Sequence, residues 1–158
     1  MSKNSLESIK EFIEPKEFAF IGISRDEKKF SRSVYKELHK KGIRMYPVNP
    51  KMDELDGGQC YHSISELPPG ITHAIVMTPK TQTASVIEEG AKHGINHFWI
   101  QQGAESPEAI ETAEKYNVNY VQKACIMMFS EPVHSVHKFH RFLSKFFGAY
   151  PKPVGSGQ

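Results

Sequence analysis

Cysteine is scarce in this chain: 158 residues contain two, Cys60 and Cys125, far apart and outside any paired spacing. That argues against a disulfide framework and makes a reducing compartment, the cytoplasm, the expected location. Long apolar runs are missing as well. No stretch approaches the roughly 20 residues of a membrane-spanning helix, and the opening Met1-Ser2-Lys3-Asn4-Ser5 has no apolar core of the secretory kind. Charge of one sign is also lacking. The formal net charge is +2, with cations and acids interleaved as in Arg25-Asp26-Glu27-Lys28-Lys29, whereas a nucleic-acid binder concentrates Lys and Arg in a stripe. Neither a membrane nor a nucleic acid is an expected partner. No Walker loop, nucleophile elbow, paired-histidine metal motif or Ser-His-Asp order can be read. A binding site alone does not accelerate a reaction, so no catalytic activity by the chain itself is expected.

What is present is periodic. With 39% hydrophobic and 24% charged residues, the chain has the balance of one ordinary globular domain. At this length it can bury about 70% of its unfolded surface. Leu6, Ile9 and Ile13 recur at helical spacing, and Phe18-Ala19-Phe20-Ile21-Gly22 is a continuous apolar run ending in glycine, so a lead-in helix feeds a buried strand. Val34, Tyr35 and Leu38 mark a second helix that Gly42 stops before the extended Arg44–Val48 segment.

After the Gly57-Gly58 turn, a short extended Gln59-Cys60-Tyr61 and the Leu67-Pro68-Pro69-Gly70 break comes a strand over His73–Met77. The spacing then predicts a helix over Thr81–His93 with Val86, Ile87, Gly90 and Ala91 inward, and a strand over His97–Ile100. A helix over Pro107–Tyr116, opened by Ser106 as N-cap, precedes a strand over Val118–Val121. Strands alternating with helices imply an α/β fold: a Rossmann-like three-layer sandwich around a mostly parallel, doubly wound sheet. A last helix over Val133–Phe146, with Val136, Phe139, Leu143 and Phe146 on one stripe, is expected to dock on that sheet. Residues 1–148 are read as a single domain and 149–158, rich in Pro, Gly and Ser, as a disordered tail.

In such a sheet the ligand lies beyond the carboxyl ends of the strands. The first strand runs into Gly22-Ile23-Ser24-Arg25, where glycine lets the backbone approach a phosphate and Ser24 and nearby amides can donate to it; the alternative is a plain strand-to-helix turn. A dinucleotide fingerprint needs further glycines two and five positions on, and an acid after the second strand. The chain has Ser24, Glu27 and Val48-Asn49-Pro50-Lys51 there, which disfavours NAD. Lys51 suits a ligand with an extra phosphate, and Arg25, Lys28, Lys29 and Arg32 are further candidates or a solvated surface. NADP satisfies the same charge logic.

Gly22-Ile23-Ser24-Arg25, Tyr46-Pro47-Val48-Asn49-Pro50, Gly58-Gln59-Cys60-Tyr61, Trp99-Ile100-Gln101-Gln102-Gly103 and Cys125-Ile126 fall in the order and spacing of the small CoA-binding domain proteins. The chain resembles that family over roughly residues 10 to 130. The family is similar to the CoA-binding domain of the succinyl-CoA synthetase alpha subunit. The resemblance implies a Rossmann-like fold with coenzyme A, or an acyl-CoA, across the strand ends. It implies CoA phosphates at Gly22, Ile23 and Ser24 with Arg25 nearby, and the adenosine end at Asn49, Pro50 and Lys51. Thr78 and Pro79 would face the ligand's middle, and Gln102 and Gly103 the pantetheine arm. Many relatives carry an aromatic and an arginine where this chain has Met77-Thr78-Pro79.

Cys125, after the last strand, is either near the ligand's thiol end, where a mixed disulfide with CoA could form, or a small buried residue. His134, His137 and His140 lie three apart, but the outer pair turns away from a common face and no Asp or Cys completes a set, so no metal is expected. Phe139, Phe142, Phe146 and Phe147 exceed one narrow stripe, which makes a homodimer contact an expectation. The favoured function is a small stand-alone CoA-binding module, regulatory or carrier in role. The alternatives are an NADP-binding oxidoreductase-like domain and an accessory subunit of an acyl-CoA ligase, whose further domains a partner chain would supply.

Overall fold

The computed structural model describes residues 6–126. Helix α1 (Leu6–Ile13) leads into strand β1 (Glu17–Ile21), helix α2 (Phe30–Lys40) and strand β2 (Arg44–Val48). A small antiparallel hairpin, β3 (Glu54–Leu55) with β4 (Gly58–Gln59), and a 3₁₀ turn at Ile64–Glu66 precede β5 (His73–Val76). Helix α3 (Lys80–His93), β6 (His97–Gln101), α4 (Pro107–Lys115) and β7 (Asn119–Ala124) follow. The main sheet has the order β2-β1-β5-β6-β7 with every pairing parallel, the α/β, Rossmann-like arrangement that alternating strands and helices require. The order reverses between β1 and β5, and that switch point is where such a sheet leaves a crevice.

Strand alternation divides the core between the two faces. Phe18, Phe20, Ile75, Trp99 and Val121 point to the side covered by α1 and α2, where they meet Ile9, Phe12, Val34 and Leu38. Ala19, Ile21, Ala74, Val76, Phe98, Ile100 and Tyr120 point to the other side, against Ile87, Ala109 and Ala113 of α3 and α4. Phe12 stacks on Phe18 at 5.0 Å and tilts against Trp99 at 5.5 Å. Burying each such ring contributes about 2–3 kcal/mol. The Trp99 indole N–H donates to the Ala124 carbonyl at 3.2 Å.

Several boundaries differ from expectation. The expected Gln59-Cys60-Tyr61 strand is split: Gln59 closes the hairpin on Glu54, whereas Tyr61 bridges Val48 in parallel. β5 stops at Val76, which puts Met77 in the following loop. β7 runs past Val121 to Ala124 through an irregularity in its register with β6. Lys123 takes a left-handed φ of 56° there, with no glycine to announce it. Ser106 caps α4 as expected, accepting from the Ala109 N–H at 3.1 Å. The expected final helix, its histidines and its phenylalanines lie outside the described residues.

Candidate functional site

Gly22, at the end of β1, determines how the crevice is floored. Its φ is +97°, and a Cβ there would lie 2.6 Å from the Met77 carbonyl carbon and 2.8 Å from the Thr78 nitrogen. Only glycine lets the two loops touch backbone to backbone. On either side of this seam lies a cavity. The first lobe, about 390 Å³, is lined by Gly22, Ile23, Asn49, Pro50, Lys51, His62, Ser63, Gln82 and Glu89 among others. The second, about 400 Å³, is lined by Ser24, Lys29, Phe30, Ser31, Met77, Gln101, Gln102, Gly103 and Ala104. Gly22, Thr78 and Pro79 line both, so the lobes form one extended cleft across the switch point. Each lobe has the size of a small-molecule site.

The cleft's walls are held by their own polar groups. Asn49 Nδ2 donates to the Ile23 carbonyl at 2.7 Å, and its Oδ1 accepts from the Lys51 N–H at 2.7 Å. Asn49 thus clasps the loop after β2 to the loop after β1, which leaves the exposed Lys51 side chain as the cation of that lobe. Ser24 N–H donates to Ser31 Oγ at 3.0 Å, and Ser24 Oγ accepts from the Asp26 N–H at 3.1 Å. The Ser24 amide is therefore spent inside the loop, while its hydroxyl proton stays available to a ligand. Thr78 Oγ1 and Thr83 Oγ1 are paired at 2.9 Å, tying the β5–α3 turn to its helix.

Three helices begin near this level of the fold, and they begin differently. α4 has a side-chain N-cap and Glu108 in its first turn. α2 and α3 have no side-chain cap bond and no acid in the first turn. The residues that start these two, Lys29, Phe30 and Ser31 for α2 and Pro79 for α3, line the cleft. An uncapped helix start carries partial positive charge and unpaired N–H groups, a setting for an anion such as a phosphate.

The loop cations separate. Arg32, expected beside a ligand or on a solvated surface, is 4% exposed. Its guanidinium donates to the Ser24 and Arg25 carbonyls at 3.3 and 3.4 Å and to Asp56 at 3.0 Å, with Glu27 at 3.8 Å. It lies beneath the loop and holds it, because Asp56, 24 residues on, supplies the countercharge. Arg25 and Lys28 are exposed, and neither is among the cleft-lining residues. Cys125 is buried beyond β7 and is likewise not among them.

Sequence reasoning missed His62, Ser63, Gln82, Glu89, Phe30, Ser31, Met77 and Gln101. His62 faces Asp53 at 2.6 Å and Glu66 at 3.6 Å, and its backbone N–H donates to Glu66 at 2.9 Å. Phe30 carried the one readable signal, an aromatic at the start of a helix in a polar loop. It is 54% exposed at the lip of the second lobe.

The model of a family described as CoA binding domain matches residues 16–131, which takes in both lobes of the cleft. The chain belongs to this family. As a CoA binding domain it is similar to the ADP-forming acetate–CoA ligase of Methanocaldococcus jannaschii, with 30% identity over 71% of this chain and 17% of the ligase. The chain therefore spans about a sixth of that relative's length. It is also similar to the uncharacterized protein YneT of Bacillus subtilis, with 29% identity over 80% of this chain and 94% of that one. Among solved structures, a conserved hypothetical protein of Pyrococcus furiosus superposes with a TM-score of 0.68 at 35% identity. The match covers 70% of this chain and 96% of that one. Among the described residues no helix is long and apolar enough to cross a membrane, and no group of three or more His, Cys, Asp or Glu could hold a metal ion.

Proposed function

We propose that this domain binds coenzyme A, free or acylated, along the two-lobed cleft, and that it contributes binding rather than catalysis. The adenosine end lies in the first lobe with Lys51 beside its phosphate. The diphosphate crosses the glycine seam toward the start of α2, and the pantetheine arm runs through the second lobe past Gln102 and Gly103. The observation that carries this reading is the seam itself: at Gly22 the backbones of two loops meet, and the cleft extends to both sides of them. A long ligand with charge at its middle and one end, and a slender neutral arm at the other, matches that shape.

Thermal unfolding with CoA, acetyl-CoA, NAD, NADP and ATP tests it. A ligand at 100 times its Kd stabilises by about 2.7 kcal/mol. CoA and acetyl-CoA are expected to raise the midpoint and Lys51→Ala to reduce that rise. A rise with NADP and none with CoA would replace this reading with the oxidoreductase one. A second reading, a ligase subunit whose remaining domains lie in another chain, is favoured by the similarity to the longer acetate–CoA ligase. In both readings the purified chain alone releases no ADP from ATP in the presence of acetate and CoA. ADP release would make it an enzyme in its own right.

A further inference from the structure

The second lobe holds one polar side chain whose orientation is set from the far edge of the sheet. Gln101, the last residue of β6, is 3% exposed and yet lines the lobe beside Gly22, Met77 and Thr78. Its Oε1 accepts from the Ile126 N–H at 3.1 Å. A carboxamide has one acceptor end and one donor end, so an N–H on Oε1 settles which way it points and leaves the NH2 for another partner. Among the described residues, the enclosed side-chain nitrogens without a partner are Arg32 Nε and His93 Nε2. Gln101 Nε2 has no acceptor among those residues either, and it is not enclosed, so it opens on the lobe. On a residue otherwise buried, that donor is left to solvent or to an acceptor that enters the lobe.

The irregular end of β7 is what brings Ile126 within reach. Lys123 is left-handed, and the β6–β7 register shifts between Trp99 and Gln101. The Ala124 carbonyl takes both the Trp99 indole N–H at 3.2 Å and the Gln102 N–H at 3.3 Å. Irregularities of this kind beside a site re-aim a side chain. The neighbours of Gln101 in the lobe include Met77, Phe30 and Ala104, so a neutral donor stands in partly apolar surroundings.

We propose that Gln101 is a specificity-determining residue of the cleft: its Nε2 donates to a carbonyl oxygen, amide or thioester, on the arm of the bound ligand. This rests on the CoA reading, with the arm in the second lobe. It selects a ligand bearing a neutral acceptor at that point.

The test is titration calorimetry of the full chain with two probes, CoA and adenosine 3′,5′-bisphosphate, which lacks the arm. Gln101→Glu keeps an oxygen for the Ile126 N–H and replaces the donor with a second oxygen. At pH 8 it is expected to weaken CoA by about tenfold or more while leaving the bisphosphate unchanged. CoA affinity should then recover as the pH is lowered and the introduced carboxyl regains a proton to donate. Gln101→Met, should the acidic variant not fold, is expected to give the same split at about fivefold. Equal losses for both probes, or no loss for CoA, overturn the assignment while the cleft reading stands. A wild-type chain that binds neither probe overturns both.

Discussion

At their amino ends, β5 and β6 bring His73 and His97 face to face, ring centroids 4.3 Å apart, with Phe12 and Phe18 edge-on to His73. Past their carboxyl ends, Thr78, Pro79 and Gln101 line the cleft. The cavity at the amino end, bounded by Ser8, Glu11, Phe12, His97, Asn119, Tyr120 and Val121, is about 80 Å³, against about 390 and 400 Å³ for the two lobes. Aromatic packing closes one end, whereas uncapped helix starts and the Gln101 amide border the cleft at the other. The same strands are thus closed by packing at one end and border open space at the other.

The strongest way to break this division is Gly22→Ala. Strain at positive φ and the 2.6 Å approach to the Met77 backbone together cost about 3–5 kcal/mol. The unfolding midpoint should fall by about 10 °C, and CoA binding should go with it. A loss of binding without a fall in midpoint would mean that the seam is not structural.

The amino end is probed by pH. Burial, and then the neighbouring His97, lower His73 from its ordinary 6.5 to about 4, and burial lowers His97 as well. The unfolded chain therefore binds more protons in that interval. Stability is full above about pH 6.5 and falls as the pH drops toward 4, by at most about 3 kcal/mol from His73. Chemical denaturation across this range should show the slope, and His73→Phe should flatten it.

Asn49→Ala removes the clasp between the two loops and is expected to cost about 2 kcal/mol, with weaker CoA binding because the first lobe loses its wall. The smallest effect has the opposite sign. Phe30→Glu puts an acid in the bare first turn of α2 and should stabilise the fold by about 0.3–1 kcal/mol. It should also weaken CoA about tenfold by placing like charge near the phosphates. A variant that improves both would show that this helix start does not face the ligand.

The five main strands and four helices were legible because both faces of the sheet are covered, so its strands read as apolar runs punctuated by glycine and proline. Of the residues that line the cleft, Gly22, Asn49-Pro50-Lys51, Thr78-Pro79 and Gln102-Gly103 could be named from the sequence, each in a loop just past a strand. Other parts depend on register that no local pattern encodes. His62 and Ser63 reach the first lobe because Tyr61 bridges Val48. Arg32 reads as a cation for a ligand or for solvent until Asp56 is brought beside it. Gln101 reads as the end of a strand, and its orientation depends on an irregularity at Lys123 that a lysine gives no reason to expect.

The glycine seam has a further consequence for how such a domain can diversify. Its floor presents peptide groups of Gly22, Met77 and Thr78 and no side chain of the first loop. Changes to the wall of one lobe therefore need no matching change in the other. On the CoA reading proposed above, the nucleotide lobe can be inherited unaltered while the far lobe is rebuilt residue by residue for a different cargo.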